Sequence, residues 1–174
     1  MRALALIAIL ALGASPALAE GKTKGAPVSL AVLEMCNQFA SGELASAVEY
    51  ATAMGWMVNE EASESPFSTS YAGFKSFNGV GDGNLWVQVE AYPGAVTIVC
   101  RVDMDMAGPD ADAQVEALNT LDWLDGDLTR DDTGVYGSWS TNGSDPDLVL
   151  GLQGPDGFTL KLTSMTRSDE TVLP

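Results

Sequence analysis

Histidine is absent from the 174-residue chain, and this removes more chemistry than any motif in it supplies. Without imidazole there is no Ser-His-Asp or Cys-His nucleophilic centre, no histidine acid–base step and no His-containing zinc site. The two cysteines, Cys36 and Cys100, are 64 residues apart and do not form a C-x-x-C redox motif. No Gly-rich dinucleotide fingerprint or P-loop occurs. Three chemistries survive. A carboxylate pair of the glycosidase kind needs an acid and a base or nucleophile flanking one bond. With 24 Asp and Glu residues, candidates such as Glu90 or Glu116 are plentiful and none is distinctive. A Ser-Lys dyad would have to use Lys75 or Lys161, and neither has a recognisable serine motif beside it. The third is a hard-cation site. Asp125, Asp127, Asp131 and Asp132 crowd the segment after Trp123, and calcium favours oxygen-rich turns. The spacing is not that of an EF-hand: Arg130 stands where the loop glycine belongs, and no Glu closes the loop. A solvated acidic turn is the plainer expectation, with no cofactor and with calcium as the alternative to test.

If catalysis is set aside, binding remains. Leu85, Val87, Val89 and Ala91 alternate with Trp86, Gln88, Glu90 and Tyr92, so one set faces a core and the other faces away. Thr97, Val99 and Arg101 are expected beside the second set on a return strand. Val149, Gly151, Thr159, Lys161 and Thr163 take the matching places later in the chain, with Leu148, Leu150 and Leu152 turned inward. Trp86, Gln88, Glu90, Tyr92, Val99 and Arg101 are therefore the candidate binding face. Exposed aromatics there would desolvate much area with few rotatable bonds. The competing expectation is that the segment Asn59–Tyr71 or the chain termini cover this face. Trp56 and Trp123, at the ends of two predicted helices, read as core.

The elements that would carry this face come twice. Val48-Glu49 opens a helical stretch that Trp56 closes, and Val115-Glu116 opens another that Trp123 closes. Leu44, Ala47, Val48 and Ala51 share one helical face, as do Ala111, Val115, Leu118 and Leu121. Each stretch runs into an acidic turn and then strands, ending in a hairpin at Pro93-Gly94 or Pro155-Asp156-Gly157. The first half has an additional helix, Val28–Phe39, and Ser41 is placed to cap the helix that follows. The expected fold is α+β: two tandem helix-plus-three-strand units forming an antiparallel sheet with helices packed on one face. Residues 28–174 form a single domain, with the units at about 28–104 and 105–168. In outline this arrangement broadly resembles the tandem-repeat β-lactamase inhibitor fold. No motif residues match that family, so the likeness implies an outline of the fold and nothing about activity.

The ends and the charge set the compartment and the class of partner. Arg2, the apolar run Ala3–Leu12, Gly13, Pro16 and Ala17-Leu18-Ala19 have the layout of a secretory signal, which predicts cleavage after residue 19 and a leader over 20–27. The apolar run is short of the about 20 residues a membrane span needs, so no membrane insertion is expected after cleavage. In a periplasmic or extracellular setting Cys36 and Cys100 should pair. Both lie on apolar faces, of a helix with Val28, Val32 and Phe39 and of a strand with Val96, Ile98 and Val102. A formal charge of −16 argues against nucleic acid and anionic membranes, whose affinity rests on Lys and Arg. The expected partner is a protein or peptide, basic if charged. The functional expectation is a non-catalytic protein- or peptide-binding module acting through the open sheet face. Its alternatives are a small carboxylate-based hydrolase and a cation-binding or structural envelope component.

Overall fold

A computed structural model describes residues 27–77, 81–105, 109–142, 146–155 and 157–167. The signal and leader expectations fall on residues 1–26, outside the described residues. The element order is α1 (Val28–Ala40), α2 (Leu44–Ala53), β1 (Met57–Glu61), β2 (Ser68–Phe77), β3 (Gly81–Tyr92), β4 (Ala95–Met104), α3 (Pro109–Leu118), β5 (Leu124–Asp131), β6 (Gly134–Thr141), β7 (Leu148–Gly154) and β8 (Gly157–Arg167). The eight strands make one antiparallel sheet in the order β1-β2-β3-β4-β8-β7-β6-β5. The fold is α+β and mostly strand. Each half contributes four strands to it, where three were expected. The additional ones, β1 and β5, are the segments after Trp56 and Trp123 that read as acidic turns. Their Glu and Asp residues disguised short edge strands, and such charges discourage another chain from pairing with a sheet edge.

Helices α1 and α3 pack against β4, β6, β7 and β8, while α2 packs on α1 and β1. The core lies between helices and sheet. Val32, Leu33, Met35, Cys36 and Phe39 of α1 meet Val87, Cys100, Val102, Leu160 and Leu162, all buried. Helical spacing on one side and strict alternation on the other place these residues together. Cys36 and Cys100 form a disulfide with a Cα–Cα distance of 5.5 Å, joining α1 to the centre of the sheet. A second tie joins the helices: buried Gln114 of α3 accepts a hydrogen bond through Oε1 from the Ser29 N–H at 2.9 Å. That N–H lies in the first turn of α1, where no intrahelical acceptor exists.

Two local expectations are corrected. Ser41 ends α1, donating through Oγ to the Gln38 carbonyl at 2.7 Å, and α2 is preceded by Glu43 with no side-chain cap. In β7 the facing is reversed. Val149 and Gly151 are buried, while Leu148, Leu150 and Leu152 lie on the far side of the sheet. The cause is α3. A Cβ at Gly151 would stand 2.9 Å from Leu118 Cδ1 and 3.2 Å from the Trp139 ring, so the glycine lets that helix and ring close over the strand without a shift of either.

Candidate binding face

The side of the sheet away from the helices is built by register alone. Across the four central strands β3, β4, β8 and β7, Trp86 pairs with Arg101, Arg101 with Lys161, and Lys161 with Leu150. The row on one side of it runs Gln88, Val99, Thr163 and Leu148. The row on the other runs Asn84, Asp103, Thr159 and Leu152, and continues to Tyr136 of β6. Trp86 is 41% exposed, Leu148 43% and Leu152 40%, so these large apolar groups are in water although they sit on central strands.

Polar contacts order the middle of this face. Arg101 donates from Nε and Nη2 to Asp103 Oδ1 at 3.0 and 2.8 Å, and Thr159 Oγ1 donates to the same oxygen at 2.6 Å. Asp103 therefore fixes the Arg101 guanidinium along β4 and is itself fixed from β8. Lys161, opposite Arg101, makes no ion pair among the described residues. Gln88 Nε2 donates to Glu90 Oε1 at 2.9 Å. Three shallow depressions mark the face. One of about 150 Å³ is lined by Arg101, Leu150, Leu152, Thr159 and Lys161. A second of about 550 Å³ extends past Asp103 and Thr159 to Tyr136. The third, about 520 Å³, lies between Leu150, Leu152, Tyr136 and the edge strand.

The structure brings Trp86, Gln88, Val99 and Arg101 together and leaves Tyr92 apart. Tyr92 ends β3, and its ring stacks on Phe67 from the β1–β2 connection at 5.5 Å. The segment expected to cover the face thus touches it at that end, but both rings stay exposed, Tyr92 at 52% and Phe67 at 46%. Glu90 lies between the two groups. Leu148, Leu150, Leu152 and Tyr136 were missed as face residues. Gly151 was the available signal, because a glycine inside an apolar strand marks close approach by something else.

The four aspartates proposed for calcium are not gathered. Asp125 and Asp127 project from β5 at successive positions on the open side, opposite Ser140 and Ser138. Asp131 closes the β5–β6 turn, where its Oδ1 accepts from Thr133 Oγ1 and from the Thr133 and Gly134 N–H groups. Those bonds, the Thr133 hydroxyl first, hold its carboxyl below the usual range. Among the described residues no group of three or more acidic or cysteine side chains could hold a metal ion. Three other carboxylates are held in ion pairs. Asp112 and Glu116 of α3 both bind Arg130 of β5, the former at 2.7 Å, and Asp103 binds Arg101. A general acid needs a carboxyl raised toward neutrality, and Asp131 is shifted the other way. No helix among the described residues is long and apolar enough to cross a membrane. No family model, curated protein or solved structure matches the chain.

Proposed function

We propose that this chain is an exported, non-catalytic module that binds a protein or peptide segment through the open face of its sheet. One observation carries the reading: Trp86, Leu148 and Leu152 stand about two-fifths exposed on the central strands, with no helix of the described residues over them. Such a strand position is an expensive place to keep large apolar groups wet. Leu148, Leu150 and Leu152 form an apolar strip along β7, and Trp86 stands across Arg101 and Lys161 from it. Exposed apolar surface marks interaction sites. The missing histidine and the paired cysteines favour binding over catalysis. Export is supported by the N-terminal pattern and agrees with the disulfide. Duplication belongs to the same reading, with units of one or two helices followed by four strands. Its support is the recurrent Val-Glu…Trp stretch and the two four-strand runs that meet at β4 and β8.

Site-specific photo-crosslinking tests the binding face. A crosslinking residue in place of Trp86 or Leu152 should trap the same protein in cells, and one in place of Glu34, exposed on α1, should not. Equal adducts from both sides, or none from the sheet, would overturn the proposal.

A further inference from the structure

The whole molecule is strongly acidic, and its field favours a basic partner at long range. The middle of the open face has the opposite character. At the centre of the β4–β8 pair the outward positions carry two cations, Arg101 and Lys161, against one anion, Asp103. Arg167 stands at the far end of β8 opposite Ala95, and the neighbouring β3 carries Glu90 and Asp82 away from that centre. Arg101 and Lys161 are directly opposite one another, an arrangement that destabilises a sheet when nothing compensates it. Asp103 compensates one of them. The other positive charge is left standing between Trp86 on one side and the leucines of β7 on the other.

We propose that this face recognises an extended peptide segment in which one Asp or Glu side chain is flanked at alternate positions by apolar residues. This rests on the binding-face reading above and specifies its partner. The carboxylate supplies the negative charge that Arg101, Lys161 and Asp103 lack between them. Because Asp103 and Thr159 hold the guanidinium in place, little ordering is required on binding. The apolar flanks lie on Trp86 and in the depression lined by Leu150 and Leu152. Spacing supports an extended ligand laid across the strands. Neighbouring strands are about 4.8 Å apart, so Trp86 and Leu150 each lie about 7 Å from the midpoint of the basic pair. Alternate residues of an extended chain are separated by about 6.7 Å and project to the same side. The pattern is therefore apolar-x-acid-x-apolar. A side-chain carboxylate is favoured over a chain terminus, because terminal carboxylates are captured in nests of free backbone N–H groups. Here the ladders of β3, β4, β8 and β7 engage them. A second copy of this chain is disfavoured, since a symmetric face-to-face contact would bring the two basic centres together.

The test is selection of a displayed random dodecapeptide library on the purified, disulfide-bonded protein. Enriched peptides should carry the alternating pattern. A synthetic representative should lose at least tenfold in affinity for Lys161→Glu, and changing its own acidic residue to Lys should restore binding to that variant. Leu150→Asp should abolish binding, while circular dichroism shows each variant folded. Peptides that depend on Leu150 but carry a neutral or basic central residue would overturn the carboxylate inference and leave the binding face standing. Failure to select any peptide sensitive to Leu150→Asp would overturn both. So would a wild-type dimer that Leu150→Asp converts to monomer.

Discussion

Trp139 and Gly137 form one packing unit. Both sit on the core side of β6, and the indole folds back along its own strand until it covers the glycine. A Cβ built on Gly137 would stand 1.8 Å from ring Cη2, so the indole would have to shift to admit it. The ring cannot move freely, because its Nε1 donates to Asn119 Oδ1 at 3.1 Å. Trp56 is the contrasting case: equally buried, it rests edge-on to Phe77 at 5.7 Å, and its Nε1 has no partner among the described residues. Gly137→Ala should therefore cost about 1–3 kcal/mol, the usual range for forcing added volume into a packed core. Urea unfolding followed by tryptophan fluorescence reads this directly. An unchanged midpoint would mean that the indole has another seat.

At the scale of elements, β7 decides how much of the surface is apolar. Leu148, Val149 and Leu150 are consecutive large aliphatic residues, so hydrophobic alternation alone cannot say which way the strand faces. The structure resolves it through Gly151, which gives α3 its close approach, and through pairing of Val149 with buried Leu162. The consequence is a sharp asymmetry in mutational cost. Leu148→Ser or Leu152→Ser should change stability by no more than about 0.5 kcal/mol, as for exposed sites. Leu160→Ala on the neighbouring strand should cost about 2–5 kcal/mol, the range for a buried leucine. Equal costs would return the β7 leucines to the core and remove the apolar half of the proposed face. The same strand shows where sequence reasoning reaches its limit. β3, β4 and β8 alternate apolar and polar residues cleanly, and their inward sets are readable without coordinates; so are the helical faces around Cys36 and Val115. β5 was unreadable because Asp125, Gly126, Asp127 and Asp131 have turn-like composition, and only its pairing with β6 makes it a strand. Half of the candidate face was legible for this reason: the Trp86 row through alternation, the leucine side only through tertiary packing.

The whole molecule is an acidic shell around a core joined at its middle. β4 and β8 link the two four-strand runs, and the disulfide fastens α1 to β4 beside that seam. Its place matters because the basic pair lies on the same strands: Cys100 faces the core and its neighbour Arg101 faces the open side. The link closes a loop across 64 residues, which in the chain-entropy account corresponds to about 4 kcal/mol of destabilisation when it is removed. At an m-value of about 2 kcal/mol/M, this is a shift of about 2 M in the urea midpoint between oxidised and reduced protein. The loop spans α2 and β1 to β3, so reduction frees most of the first run in the unfolded state while the second run is outside it. The loss should therefore appear as an earlier midpoint with near-native far-UV circular dichroism in the absence of urea. A reduced protein that unfolds at the same urea concentration would show that packing of α1 against β4 and β8 already confines the chain. A reduced protein unfolded without urea would make the covalent link a condition of folding, and with it oxidation a condition of forming the open face.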